Sequence, residues 1–502
     1  MRLEWIPRLL ITKAILLALL WGGYAALATA PGAGVSAFNG TVYYVTPTGS
    51  DSNPGTESQP WRTIQKAADT LVAGDTVYIK AGTYQERVVP QNSGSADNYI
   101  VYAAHSGDTV TIDGHSIPLP SYDSGLFQVE DKSYIKVSGL RIINAGPNDN
   151  NAGILVGNSD HIIIENNYTC NTVSSGIGVW DSNNIIIDGN EVELACNDGG
   201  QECITVAGTD TFEVRNNHVH HGGPGTNGGE GIDAKDGSSN GKVFRNRVHD
   251  TNAVGIYIDA WDKHTYNIEV FENVVHNVAA DAFALASEQG GLLENVKVYN
   301  NVVYDNKWVG LNVSDCCIAV HPISNVQVVN NTFYGNGWDP WGGGILLDNP
   351  QAEDVVIRNN ICSQNYYFQI AVNLDVPAQN YTADHNLIDG FRGTEGEIYG
   401  DDYVEGNPKF VNPAGADFHL QEDSPAIDKG SPMDAPARDF DGHPRPYGAG
   451  YDIGADEYIV FTDFVYLPIM SRSYVSIVAS RTWPPGTASH RKAPRATRPA
   501  GW

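Results

Sequence analysis

Asn217-His-Val, Asn246-Arg-Val, Asn273-Val-Val and Asn301-Val-Val decide the fold. Each follows a short β-branched run, and the four asparagines stand 29, 27 and 28 residues apart. Reading outward, the same station recurs at Asn167, Asn190, Asn331, Asn360 and Asn386, at intervals between 23 and 30 residues. Between stations lies a second run: Gly176-Ile-Gly-Val, Cys203-Ile-Thr-Val, Gly231-Ile-Asp-Ala, Gly255-Ile-Tyr-Ile, Ala282-Phe-Ala-Leu and Gly310-Leu-Asn-Val. A period of this length with alternating strands is one coil of a solenoid. One asparagine per coil has a physical use, because stacked side-chain amides bond one another and satisfy the turn backbone that strand pairing leaves open. Leucine-rich repeats are excluded, since no Leu-x-x-Leu-x-Leu pattern is present.

Composition agrees. In 502 residues there are 53 Gly and only 3 Met, which argues against a helix-rich protein, while 41% hydrophobic residues, 25 Tyr and 10 Trp exclude a disordered one. Thirty Lys and Arg against 59 Asp and Glu give a net charge of −29, which excludes sequence-independent nucleic-acid binding. The expected class is all-β, a parallel solenoid whose chain folds as a monomer.

Both ends depart from the repeat. Arg2, Arg8 and Lys13 precede an apolar run from Ala14 to Ala30 and then small residues, so residues 1–37 read as a signal peptide and the protein as secreted or attached to the cell surface. Its removal takes the charge to −31, and no later stretch is long and apolar enough for a transmembrane segment. Residues 38–85 read as an N-terminal cap, with a helix from Pro60 that places Trp61, Ile64, Ala68 and Leu71 on one face. Residues 86–420 hold the coils, 421–460 a closing segment, and 461–502 a basic tail with Arg472, Arg481, Arg491, Lys492, Arg495 and Arg498. Six cysteines in an exported chain allow fifteen pairings; Cys196 with Cys203, flanking a Gly-rich loop, is one.

The nine Asn stations, over roughly residues 41–457, resemble the pectate-lyase-like right-handed parallel β-helix superfamily. That resemblance implies a single-stranded right-handed parallel β-helix with an N-terminal capping helix and an irregular C-terminal cap.

Alternation in the second run sends Ile232, Ile256, Ile258, Phe283 and Leu285 inward and leaves Trp180, Asp233, Lys235, Tyr257, Asp259 and Asn312 outward, with Glu288 just beyond. Parallel strands lie ~4.8 Å apart, so Asp233, Asp259 and Glu288 are expected within ~5–9 Å of one another, the range of glycosidase carboxylate pairs. For any single acid of an acidic protein, solvation is the default use. The company changes the reading: Trp180, Tyr257 and Trp261 offer planes for sugar rings, Asn312 a polar contact and Lys235 a cation. His220, His249 and His276 recur three residues after the Asn station, and His249 is a further substrate-binding candidate. Stacked surface rings explain this histidine column better than a metal site, because no ligand spacing is convincing.

Gly255-Ile-Tyr-Ile-Asp259-Ala-Trp and Asp281-Ala-Phe-Ala-Leu-Ala-Ser-Glu288 resemble the paired acidic strands of certain β-helix glycosidases. The resemblance implies Asp259 as nucleophile and, after a short insertion, Glu288 as acid/base. Residues 230–237, 255–261 and 288–294 also resemble disaggregatase-related proteins, which implies a uronate- and amino-sugar-containing polysaccharide as the partner. The competing chemistry is calcium-dependent β-elimination on a uronate, with Glu230, Asp233 and Asp236 holding calcium and Lys235 or His249 as base. Against it, Ala253-Val254 stand where a calcium lyase carries an acidic pair, and Ala284 where it carries Lys. A third class, a non-catalytic adhesin or scaffold, uses the same aromatic and acidic face without turnover. Hydrolysis is the first expectation.

Overall fold

A computed structural model describes residues 40–120, 123–224, 228–316, 320–338 and 340–460. The signal peptide, the basic tail and Cys317 lie outside the described residues. Strands from Val42–Val45 to Val404–Glu405 wind into three parallel sheets, visited in turn from Ile100–Ala104 to Leu387–Asp389. Sheet 1 has 13 strands and includes Ser239–Phe244 and Thr265–Phe271; sheet 2 has 13 and includes His218–His220, Arg247–His249 and Val274–His276; sheet 3 has 10 and includes Ile204–Ala207, Ile232–Lys235, Ile256–Asp259 and Phe283–Ala286. The only α-helix among the described residues is Ile64–Ala68, capped by the Thr63 side chain, with Trp61, Ile64, Ala67, Ala68 and Leu71 buried against the first coils.

The core is three stacked columns, because the register aligns every inward apolar residue with its counterpart one coil later. Val219, Val248, Val275 and Val303 stack in sheet 2, Val243, Val270 and Val298 in sheet 1, and Ile204, Ile232, Ile256 and Phe283 in sheet 3. Fully burying such a side chain stabilises by ~1.5–3 kcal/mol, so each coil contributes to the next. The turn from sheet 1 to sheet 2 carries all nine predicted asparagines, each buried. The backbone N–H of Asn273 donates to Asn301 Oδ1 at 3.0 Å, and its Nδ2 donates to the same oxygen and to the Val243 carbonyl. The pattern repeats unbroken from Asn167 to Asn386. The residue before each station takes a left-handed backbone, as at Asn216, Asn300, Asn330 and Asn359, where asparagine is well tolerated. A second, shorter ladder runs Asn306, Asn336, Asn365 and Gln369 at the turn into sheet 3.

Residues 391–405 cover the last coil: Ile398 and Asp401 donate backbone bonds to Ile370 and Ala383, and Phe391, Ile398 and Tyr399 pack on the main core. The 421–460 segment lies along the side of the solenoid. Its Ala426, Ile453 and Ala455 cover Val302, Tyr304, Ile361 and Leu387 of sheet 2, and Asn330 and Asn359 donate to its backbone. The physical reason is that sheet 2 turns an apolar outer face outward in these coils. Among the described cysteines, Cys203 is a thiol beside Cys196, and burial raises the Cys196 thiol above its usual range. No helix among the described residues is long and apolar enough to cross a membrane.

Candidate active site

Two outward columns run up sheet 3. One aligns Thr205, Asp233, Tyr257, Ala284 and Asn312; in the other, Ala207 aligns with Lys235 and Asp259 aligns with Ala286. Asp233 therefore pairs with Tyr257, and Asp259 sits two residues farther along, level with Lys235. Gly231-Ile-Asp and Gly255-Ile-Tyr already carry that alignment. Glu288 lies past its strand and returns to accept a hydrogen bond from the Tyr257 hydroxyl. Trp261, 46% exposed, follows Asp259, and its carbonyl accepts the backbone N–H of Gln289 and of Gly291, which fixes the indole's turn beside Glu288.

Asp233 is 1% and Asp259 3% exposed, and the Oδ1 atom of each is buried without a hydrogen-bond partner. Such groups are costly unless they hold a proton or meet a ligand. Burial first, then Asp259 and Glu202, pushes the Asp233 carboxyl well above its ordinary range; burial first, then Glu288 and Glu202, does the same to Asp259, with Lys235 opposing in both cases. Burial disfavours the Lys235 ammonium, but Glu202 and Asp233 more than offset this and hold it above its usual value. Its Nζ lies 2.6 Å from Glu202 Oε1 and 3.9 Å from Asp233 Oδ2. Burial, with Glu202 beside it, raises Glu230 to about 8. Burial also holds the Tyr257 phenol protonated, so it is a donor to Glu288.

Glu202 is the residue that sequence reading passed over. It stands directly before the inward run, as Glu230 does one coil later, and its Oε2 accepts from Thr205 at 2.8 Å. Trp180 lies in the Lys235 column two coils earlier, its half-buried indole across Gly178, where a Cβ would come within 2.2 Å of the ring. Asn312 donates to Asp281 at 3.1 Å and leaves its buried Oδ1 without a partner. Burial raises Asp281 to about 6.

Two expectations do not assemble here. His249 is on the outer face of sheet 2, hydrogen bonded to His218 and Asp250, because three residues after the Asn station the chain has not yet reached sheet 3. Glu230, Asp233 and Asp236 form none of the convergent ligand sets among the described residues; Asp236 ends its strand in a left-handed conformation and pairs with Lys263 at 3.2 Å. The cation within the carboxylate group is the Lys235 ammonium.

Comparison with known proteins agrees with the fold. Residues 43–265 match the family described as Pel9A-like, right handed beta helix region, and residues 266–411 the right handed beta helix region. The chain belongs to the pectate-lyase-like right-handed parallel β-helix superfamily. The uncharacterized protein YwoF of Bacillus subtilis is 27% identical over 436 residues, covering 77% of this chain and 92% of its own length. Pectate lyase PEL9 of Emericella nidulans is 31% identical over 157 residues, 29% of this chain and 37% of that one. The crystal structure of pectate lyase Pel9A superposes with a TM-score of 0.51 at 17% identity, over 83% of this chain and 96% of that one. The complex of XylC with xylose gives 0.51 at 14%, over 83% and 98%. Both superpositions speak to the fold.

Proposed function

We propose that this β-helix binds a polysaccharide on the outer face of sheet 3 and hydrolyses its glycosidic bonds there. The observation that carries the reading is the Asp233/Asp259 pair: two buried carboxyls with unpartnered oxygens and raised pKa values, the condition for a proton donor at neutral pH. Asp259 then supplies the acid to the leaving oxygen. Glu288, more accessible and oriented by the Tyr257 hydroxyl, serves as nucleophile or base. This reverses the roles implied by the glycosidase resemblance, and the reversal follows from burial. Trp261 offers the exposed plane on which a sugar ring packs, and Lys235 stays charged to balance the cluster. The relative named pectate lyase PEL9 supports polysaccharide as the substrate class.

Elimination on a uronate is the second reading, favoured by the stretch shared with pectate lyase PEL9. The side chains present fit it less well. Lys235 is tied to Glu202 and kept protonated, which opposes a role as base, and the proposed calcium set is split by Lys263. Export of the chain to the cell surface or medium belongs with either reading.

The test is a polysaccharide panel assayed for new reducing ends and for the absorbance of unsaturated uronate. Reducing ends without unsaturation, abolished in Asp259→Asn, are expected. Unsaturated products would overturn hydrolysis in favour of elimination, and binding without either product would make the face a scaffold.

A further inference from the structure

Away from sheet 3, the outer face of sheet 2 gathers five histidines and three acids on successive coils. Glu191 aligns with His218 and Arg247, and Glu193 with His220 and His249. His220, His249, His276 and Tyr304 stack as nearly parallel rings 4.8–5.4 Å apart, which accounts for their spacing along the chain. Stacking does not account for where the nitrogens point. His218 Nε2 and His249 Nε2 approach to 2.7 Å, and His220 Nε2 lies 3.2 Å from Glu191 Oε1. One ligand atom each from Glu191, His218 and His220 falls within 4.8 Å of the others. Asp250 Oδ2 lies 2.7 Å from His249 Nδ1, so in the tautomer donating to Asp250 the His249 Nε2 presents its lone pair toward His218. A carboxylate behind an imidazole is the arrangement that orients metal-binding histidines.

We infer that Glu191, His218 and His220, with His249 alongside, form a binding site for a borderline divalent transition ion of the zinc class. Imidazole nitrogens with one carboxylate oxygen suit such an ion and not calcium, which takes oxygen ligands. Small side-chain rotations bring the donors to ~2.0–2.2 Å from a shared ion. Glu191 and the two histidines come from adjacent coils, with His249 on the third, so the ion would clasp the coils along the face that the closing segment leaves uncovered. The site is separate from the carboxylate cluster, and its fate is independent of the hydrolase reading.

The experiment titrates the metal-stripped full chain with Zn(II), and with Co(II) as a spectroscopic probe. One equivalent of Zn(II) is expected to bind and raise the melting temperature, with Co(II) giving visible absorption of a low-coordinate N/O site and millimolar Ca(II) failing to compete. His218→Ala and His220→Ala should each weaken Zn(II) binding at least tenfold, and Asp250→Asn ~10–100-fold. His276→Ala, in the same ring stack but with Nε2 facing Arg247, should bind as the parent does. Glu191→Gln, at an exposed position outside the ring stack, provides a ligand variant that does not disturb the stack. The inference is overturned if no stoichiometric Zn(II) is taken up, if Ca(II) displaces it, or if the folded His218, His220 and Glu191 variants bind as tightly as His276→Ala.

Discussion

The asparagine ladder and the carboxylate cluster are built on the same coil geometry to opposite ends. At the ladder, the side-chain amides and oxygens find partners one coil away, and each asparagine, as at Asn273, joins the backbone of two coils to its neighbours' side chains. On sheet 3, Asp233 and Asp259 are as deeply buried but leave oxygens without partners. Complete satisfaction in the first region makes a rigid spine. Incomplete satisfaction in the second stores an affinity for protons that chemistry can use. Polar stacking stabilises only where the number of donors matches the number of acceptors, and the excess of acids around Lys235 breaks that balance.

The largest effect should come from disturbing the unsatisfied region. Asp259→Asn preserves shape and removes the acid, so turnover should fall ~10²–10⁴-fold while the thermal midpoint at neutral pH stays level or rises. A variant that keeps its turnover would place the chemistry elsewhere. The matching cut in the satisfied region is Asn273→Leu, which leaves the Asn246 N–H and the Val243 carbonyl buried without partners. At ~1–3 kcal/mol for each group, urea denaturation should show a loss of ~2–6 kcal/mol, with the remaining activity of the folded fraction unchanged. A neutral result would mean that the ladder decorates a fold held by apolar columns alone.

Much of this contrast is legible in the sequence, unevenly. Asn167 to Asn386 announce themselves because nine coils repeat one residue at one place. The second ladder of Asn306, Asn336 and Asn365 escapes notice because it spans fewer coils and ends on Gln369, a different residue type. Asp233, Lys235, Tyr257 and Asp259 are readable as outward positions, but burial of the two aspartates is not, since alternation tells which face a side chain takes and not what covers it. Glu202 is hidden for a similar reason: it precedes the strand, where no alternation rule applies, and only the matching Glu230 one coil later marks the station. His249 belongs to the right coil and the wrong sheet, an ambiguity inherent in a three-sided repeat.

The middle-sized effect sharpens the electrostatic half of the comparison. Glu230 is raised from 4.5 to about 8, so the folded chain binds its proton more tightly than the unfolded chain does. Its stabilising contribution is therefore complete below pH 4.5 and lost as pH rises through about 8. Glu230→Gln should flatten the fall in melting temperature across that window, whereas Asn273→Leu should lower the whole curve without changing its slope. A Glu230→Gln curve parallel to the parent's would contradict the assigned proton. The smallest effect belongs to the exposed rim: Trp261→Ala should raise KM about threefold to tenfold with kcat nearly kept, in line with ~0.5–1.5 kcal/mol of aromatic stacking.

The central claim, that sheet 3 keeps a proton on a buried aspartate pair at neutral pH, is open to direct observation without knowing the sugar. Infrared spectra of the parent, Asp233→Asn and Asp259→Asn at pH 7 should show a protonated-carboxyl stretch in the parent that is diminished or shifted in both variants. Glu230 contributes to the same region, so a band that is unchanged in both variants, with both aspartates ionised, would contradict the account and leave the aspartates as charges balanced by Lys235.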